Sequence, residues 1–156
     1  MTDINKNCDI CGFLDDQKFQ IFESKHWKVV ICENQEYLGR SYVTLKRHCP
    51  NLSEVTGEEW SDLKQLIITL ESAFKKAFDA THFNWTCLMN DAYKDNPAYP
   101  HVHWHLRPRY SHDVKFSDVV FKDPEFGHYY TRSKDRILNL PEKQLLEIIK
   151  EVKKNL

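Results

Sequence analysis

Three histidines alternate with apolar residues in one short stretch of the chain, His101-Val102-His103-Trp104-His105. Successive side chains of a β-strand point to opposite faces of a sheet. The alternation therefore predicts a strand with all three imidazoles on one side and Trp104 among the core residues on the other. Pro108 has no N–H group, so we expect it to end the strand just beyond the histidines.

Neutral imidazole can act as a nucleophile, a general base or a metal ligand, because its reference pKa of about 6.5 leaves much of it uncharged at neutral pH. Three imidazoles on one face favour such a role over a merely solvated surface. Two mechanisms are open from the residues alone. One histidine attacks an electrophile covalently, or all three hold a catalytic zinc with an open position for water. In the second case Cys8 and Cys11, a CxxC pair, would be natural additional ligands.

The elements that position these histidines can be traced along the chain. Segments 19–23, 26–32, 41–45 and 83–89 have the composition of β-strands, and a loop over 90–100 leads to the histidine stretch.

Two helices are expected. Thr56-Gly57-Glu58-Glu59 is a capping-box pattern followed by apolar residues at helical spacing, which predicts a helix over 57–80. Pro141 suits the first turn of a closing helix. The apolar face of that helix would contain Leu145, Leu146, Ile148, Ile149 and Val152. Residues 111–135 have no firm periodicity.

Length and composition fit one globular domain over residues 1–156. The net charge of −1, from 22 basic and 23 acidic residues, argues against general attraction to nucleic acid. Residues 1–7 lack the apolar run of a signal peptide, and no apolar run approaches the length of a membrane span. Five cysteines, an odd count, favour reduced thiols, so we expect a cytoplasmic protein.

The stretch His101–Arg109, HVHWHLRPR, resembles the signature of the histidine triad (HIT) family, His-φ-His-φ-His-φ-φ with φ apolar, often followed by Pro-Arg. Arg107 departs from it at the last φ position. Residues 39–48, GRSYVTLKRH, are similar to the family's Gly-His-x-Leu-Val-x-Pro-Lys-x-His segment. The resemblance covers about residues 8–110 and leaves 111–156 as a C-terminal extension. It implies an α+β fold: an antiparallel sheet, a long helix packed on it and a C-terminal helix.

The resemblance also implies an enzyme, a nucleotidyl hydrolase or transferase that acts on dinucleoside polyphosphates or AMP-linked compounds. His103 would attack the α-phosphate and form a nucleotidyl-histidine intermediate, while His105 and the amide of Asn90 would hold the phosphate. Family members are commonly homodimers, so we expect one here. The alternatives are a nucleotide-binding regulatory protein with little turnover and a zinc-dependent hydrolase that uses the triad as its metal site.

Many bacterial members of the family carry a structural zinc. The residues that match its ligands are Cys8, Cys11, His48 and His101, a Cys2His2 set. The resemblance therefore implies that His101 belongs to the metal site as well as to the catalytic triad. The alternative is that Cys8 and Cys11 are two ordinary reduced cysteines.

Some positions depart from the family's pattern. Arg40 replaces a histidine, and Leu45 replaces a proline. Cys32 stands where the family has an acidic or amide residue that holds the ribose. Residues 96–100, with Ala98 at their centre, lack the usual polar contact to the leaving group. We therefore expect the nucleophile and the phosphate contacts to be kept, and the groups that select the nucleoside and the leaving group to differ.

Overall fold

The computed structural model describes residues 4–131 and 133–156. Of the polar stretch 1–7 considered above, residues 1–3 lie outside the described residues. The strands are β1 (Gln20–Glu23), β2 (Trp27–Ile31), β3 (Ser41–Leu45), β4 (His82–Thr86), β5 (His103–Arg109), β6 (Val114–Phe116) and β7 (Val119–Phe121). The α-helices are α1 (Asp9–Phe13), α2 (Gly57–Phe78) and α3 (Glu142–Lys153). Short 3-10 turns occupy Leu52–Glu54, Asn90–Lys94 and Lys134–Arg136.

The first five strands form one antiparallel sheet in the order β1-β2-β3-β5-β4, and β6 pairs with β7 in a separate hairpin. Helix α2 covers one face of the large sheet with the buried side chains of Leu63, Leu66, Leu70 and Phe74. The other face is the more polar one and carries the histidines. This arrangement confirms the α+β fold and the long helix packed on an antiparallel sheet.

The start of α2 is fixed by its own sequence, as predicted. The Thr56 hydroxyl accepts a hydrogen bond from the Glu59 backbone N–H at 3.3 Å, and the Glu59 carboxylate accepts one from the Thr56 N–H at 2.8 Å. The helix ends at Phe78, before the predicted end at residue 80, because Asp79 takes a left-handed conformation with φ of 58°.

Strand β3 matches its predicted range and begins in close contact with α2. Gly39, just before the strand, has φ of +83°, and a Cβ at this position would overlap the ring of Phe74 on α2. Only glycine suits both this conformation and this approach of backbone to ring. The turn therefore fixes how β3 enters the sheet.

Two expectations about the histidine stretch are wrong. The strand begins at His103 rather than at His101, and it does not end before Pro108. Thr81 donates a backbone hydrogen bond to the Arg109 carbonyl on the β4 side, so the nitrogen of Pro108 faces the opposite side. On that side the pairing with β3 has already ended at Leu106. The proline is tolerated because no ladder bond needs its missing N–H.

The other boundaries differ in smaller ways. The predicted strand over 83–89 is β4, His82–Thr86, because the chain turns at Met89, where φ is 52°, into the 3-10 turn Asn90–Lys94. The closing helix α3 packs against β1 and α2. Leu146, expected on its apolar face, is 41% exposed, whereas the other four members of that face are buried.

Two segments flank the polar face of the sheet, and we name them the N-terminal cover (residues 4–18) and the C-terminal cover (residues 122–131 and 133–140). The ammonium of Lys28 ties the N-terminal cover to β2 through the carbonyls of Leu14 and Asp16. Arg109 of β5 ties down the C-terminal cover through the carboxylate of Asp123, at 2.6 and 2.9 Å. A cavity lies on the polar face beside the N-terminal cover.

Candidate active site and metal centre

The cavity has a volume of about 810 Å³, and all three histidines of the 101–105 stretch line it. Tyr42 and Thr44 of β3 and the end of β2 form one side. Residues of the loop after β4, including Asn90, form the other side, and the N-terminal cover borders the cavity. The structure therefore brings together residues that are up to 98 positions apart in the sequence, from Asn7 to His105.

His103 is held through one nitrogen of its ring. Its Nδ1 lies 2.8 Å from the backbone carbonyl oxygen of His101. A carbonyl can only accept a hydrogen bond, so Nδ1 carries the proton and Nε2 keeps an available lone pair. The tautomer is the one that a nucleophilic imidazole needs.

His105 follows on the same face and contacts both His103 and Tyr42. Its ring centroid lies 5.0 Å from that of His103 and 5.2 Å from that of Tyr42. Trp104 points the other way, packs against the core, and has its ring 6.1 Å from that of Trp60 on α2. The alternation predicted from the sequence holds for these residues.

Asn90, predicted to hold a phosphate, lies in the 3-10 turn after β4 and lines the same cavity as the imidazoles. The left-handed conformation of Met89 reverses the chain just before it. An amide offers two N–H donors without a charge, which suits the oxygens of a phosphate group. Of the loop over 96–100, Pro97 and Tyr99 line the cavity.

Cys8, Cys11, His48 and His101 converge beside the cavity, and their ligand atoms all lie within 4.8 Å of one another. The His101 Nδ1 lies 3.5 Å from the Cys8 Sγ and 3.4 Å from the Cys11 Sγ. The Cys11 Sγ lies 3.5 Å from the His48 Nδ1. The ligand atoms of a tetrahedral zinc with Zn–S and Zn–N bonds are about 3.3–3.8 Å apart. The four residues therefore fit a zinc ion in both chemistry and spacing.

His101 is 1% exposed and has a partner for each polar group of its side chain. Its Nε2 lies 2.7 Å from the carbonyl oxygen of Leu45, which makes Nε2 the protonated nitrogen and leaves the Nδ1 lone pair facing the thiols. Burial lowers the pKa of His101 to about 4, so this imidazole is neutral at pH 7. Among the described residues, the group that can hold a metal includes His101 but neither His103 nor His105. The arrangement does not favour one metal site built from all three histidines.

The two arginines that depart from the family's pattern bind one carboxylate. The Nη1 of Arg40 lies 2.9 Å from Glu36 Oε1, and the Nε of Arg107 lies 3.8 Å from the same oxygen. The guanidinium of Arg107 also stacks on the ring of Tyr130 in the C-terminal cover, 4.4 Å from its centroid. The period-two alternation places Arg107 on the face of the histidines, but no sequence pattern indicated Glu36 or Tyr130 as its partners.

Tyr42 is a cavity residue that the sequence reasoning missed. It pairs with His105 across the sheet, and its hydroxyl oxygen lies 3.5 Å from the Sγ of Cys32. Burial raises the pKa of Tyr42 to about 12. The available signal was the alternation of β3 itself, which places every second residue of that strand on the histidine face.

The model of the family described as the HIT domain matches residues 16–112 of the chain. Among the curated proteins, the asymmetrical bis(5'-nucleosyl)-tetraphosphatase of Schizosaccharomyces pombe is 29% identical over 87 residues, which cover 56% of this chain. The chain spans about half the length of that relative, 47%.

Solved structures share the fold. A Zn-bound histidine triad family protein from Mycobacterium smegmatis superposes with a TM-score of 0.60 at 16% identity, covering 95% of this chain and 94% of that one. A diadenosine triphosphate hydrolase from Plasmodium falciparum superposes with a TM-score of 0.61 at 15% identity, covering 89% of this chain and 76% of that one. None of the helices in the described part of the chain has the length and apolar character needed to cross a membrane.

Proposed function

This chain belongs to the HIT domain family, and we propose that it is a nucleotidyl hydrolase or transferase in which His103 attacks the α-phosphate of a nucleotide. The observation that carries the proposal is the hydrogen bond from His103 Nδ1 to the His101 carbonyl, at 2.8 Å. It leaves Nε2 as the unprotonated nitrogen of a histidine that lines a cavity of nucleotide size. Resemblance to enzymes that act on dinucleoside polyphosphates supports the substrate class.

In the proposed reaction the Nε2 lone pair of His103 forms a bond to the α-phosphorus. The bond from phosphorus to the leaving oxygen or nitrogen breaks, and the leaving atom takes the electron pair. A water molecule, or another acceptor, then displaces His103 and loses a proton. His105 and the amide of Asn90 lie in the same cavity and would hold the phosphate oxygens as charge builds on them.

His101 has two roles in this proposal. Its backbone carbonyl orients the ring of His103, and its side chain joins Cys8, Cys11 and His48 as ligands of a structural zinc. Bound zinc would supply no step of the reaction. It would fix the position of His101 and hold the N-terminal cover beside the cavity.

The test is intact-protein mass spectrometry after brief incubation with diadenosine tetraphosphate or with an adenosine 5'-phosphoramidate, at mildly alkaline pH to preserve a P–N bond. AMP and ADP are measured in the same samples. We expect turnover, or an AMP adduct on the protein, that disappears in His103→Ala. The matched control is His112→Ala, an exposed histidine outside the cavity, which should behave as the wild type.

The outcomes separate the two classes of function. Turnover that persists in His103→Ala would refute His103 as the nucleophile. Nucleotide binding by the wild type with neither adduct nor turnover would replace the proposal with the regulatory alternative.

A further inference from the structure

The row of residues Val30, Tyr42 and His105 crosses three neighbouring strands in register. Val30 of β2 pairs with Tyr42 of β3, and Tyr42 pairs with His105 of β5. Two strand spacings separate the ends of this row, about 10 Å. Tyr42 therefore lies midway between the end of β2 and the imidazoles.

The cavity changes character along that row. At the β2 end its lining includes the apolar residues Phe19 and Val30, whereas at the β5 end it includes His103 and His105. If the phosphate lies at the imidazoles, as the proposed function requires, the aromatic base takes the apolar end. The sugar links base and phosphate, so it lies over the middle of the row, beside Tyr42.

The hydroxyl group of Tyr42 has one weak hydrogen-bond partner. Its oxygen lies 3.5 Å from the Sγ of Cys32, and a thiol is both a weak donor and a weak acceptor. Burial keeps the pKa of Tyr42 far above neutrality, so the group stays a donor at pH 7. Phenol O–H is also a better hydrogen-bond donor than a thiol.

We propose that Tyr42 is a specificity-determining residue, whose O–H donates a hydrogen bond to a hydroxyl of the substrate's sugar and so favours ribonucleotides over deoxyribonucleotides. This inference rests on the proposed function for the position of the phosphate. Cys32 is 6% exposed, and its Sγ lies 3.5 Å from the Tyr42 hydroxyl, so it helps to orient that hydroxyl. The edge contact of the Tyr42 ring with His105, at 5.2 Å between centroids, is independent of the hydroxyl and survives in Tyr42→Phe.

The experiment compares binding of AMP, 2'-deoxy-AMP and 3'-deoxy-AMP by calorimetry, together with kcat and KM for the corresponding phosphoramidates. We expect Tyr42→Phe to weaken AMP binding about five- to tenfold, the effect of one neutral hydrogen bond. The analogue that lacks the contacted hydroxyl should bind both proteins equally. KM for the ribonucleotide should rise while kcat stays near the wild-type value, because the lost bond is made equally in the ground state and the transition state.

Two variants make the test specific. Tyr99→Phe removes a second tyrosine hydroxyl of the same cavity, on the opposite side, and should keep the wild-type ratio of AMP to deoxy-AMP affinity. Glu33→Gln tests the exposed carboxylate at the β2 end of the cavity, which is the competing candidate for a sugar contact. Melting temperatures of all variants confirm that they are folded.

The inference is overturned if Tyr42→Phe weakens AMP and both deoxy analogues equally, if Glu33→Gln removes the discrimination and Tyr42→Phe does not, or if the wild type does not discriminate. Binding is measured apart from turnover, so the experiment can refute the catalytic role of His103 and the sugar contact of Tyr42 independently of each other. A wild type that binds AMP in preference to a deoxy analogue through Tyr42 but forms no adduct and no product would refute the catalytic proposal and keep this one.

Discussion

The N-terminal cover is attached to the polar face of the sheet through one cluster of side chains and through the ammonium of Lys28, whereas the C-terminal cover is attached at several separate places. Cys8 and Cys11 converge with His48 and His101, and the described residues of this cover contribute no side chain to the apolar core. The C-terminal cover has a buried ion pair through Asp123, a backbone bond from Gln35 to Leu138, and two leucines packed on the core, Leu138 and Leu140.

The difference in attachment corresponds to the position of each cover relative to the cavity. Residues of the N-terminal cover line the cavity, and none of the described residues 122–131 and 133–140 does. The cover beside His103 is attached at few places, one of which is a Cys/His cluster that fits a metal ion, so we expect it to open as a unit. The cover that only completes the fold has many contacts, and losing one of them should leave the rest in place. Three measurements test this contrast.

Removing the zinc that we propose for the Cys/His cluster should have the largest effect. We expect Cys8→Ser combined with Cys11→Ser, or treatment with a strong chelator, to abolish zinc content, to release the N-terminal cover and to weaken AMP binding severely. The physical reason is the size of the contribution: structural zinc supplies apparent free energies of about 10 kcal/mol or more in small peptides. The readouts are metal analysis and limited trypsin cleavage at Lys18, at the end of the cover.

The matched control is Cys87→Ser, a half-buried cysteine outside the cluster, which should keep zinc and resist trypsin. Zinc content unchanged in the double variant would contradict the assignment of Cys8 and Cys11 as ligands.

Asp123→Asn should cost stability but leave the cavity intact. The side chains of Arg109 and Asp123 are 4% and 1% exposed, and removing one partner leaves a buried guanidinium without its counter-charge. Such changes destabilise a protein by about 3–5 kcal/mol. Urea unfolding should show this loss, and calorimetry under native conditions should show AMP binding close to the wild type.

Asp113→Asn is the control, because its partner Lys122 is 67% exposed and surface pairs contribute about 0–1 kcal/mol. Loss of AMP binding in a folded Asp123→Asn protein would mean that the C-terminal cover also shapes the cavity. That result would refute the proposed difference between the two covers.

The smallest effect concerns Glu125, which contacts Arg136 and accepts hydrogen bonds from the Thr131 N–H at 3.1 Å. Burial alone would raise the pKa of Glu125, but the bonds from Thr131 and the charge of Arg136 outweigh it, and the pKa is lowered. A carboxylate with a lowered folded-state pKa stabilises the protein above its unfolded pKa, and the contribution is lost as the pH falls through the folded value.

We therefore expect Glu125→Gln to be slightly less stable than the wild type at pH 7, by much less than Asp123→Asn. The difference in stability between the two proteins should disappear as the pH falls below 4.5, the ordinary pKa of a glutamate side chain. Urea midpoints at pH 7, 5 and 3.5 provide the measurement. A difference in urea midpoint that is the same at all three pH values would show that the charge of Glu125 does not help to attach the C-terminal cover.

The sequence predicted those features that repeat at short range or match a known pattern. The capping box at Thr56 and Glu59, the range of β3 and the opposite directions of His103 and Trp104 all follow from local periodicity, and the structure agrees. The residues alone indicated Cys8 and Cys11 as possible metal ligands beside the three histidines. The set of four with His48 came from the family resemblance, because nothing local relates Cys8 to His101.

The features that the sequence did not predict depend on contacts between residues that are distant in sequence. The C-terminal cover is attached by contacts such as the Nη1 of Arg136 with the Tyr37 hydroxyl, at 2.9 Å, between residues 99 positions apart. The hairpin of β6 and β7 has strands of three residues each, too short to show an alternation. Tyr42 was overlooked because a tyrosine in a strand fits a core as well as a cavity, and only its neighbours in the folded sheet distinguish the two.

Pro108 also has a consequence for aggregation between copies of this protein. A strand whose outward N–H groups find no partner is a template for a strand from another molecule, and such templates start aggregation. Beyond its last pair with β3, at Leu106, strand β5 continues to Arg109, and no strand of the described residues pairs with it on that side. A proline at the next position that faces this side withholds the donor that an incoming strand would need. The missing donor therefore protects this end of the strand that carries His103 from pairing with a strand of another molecule.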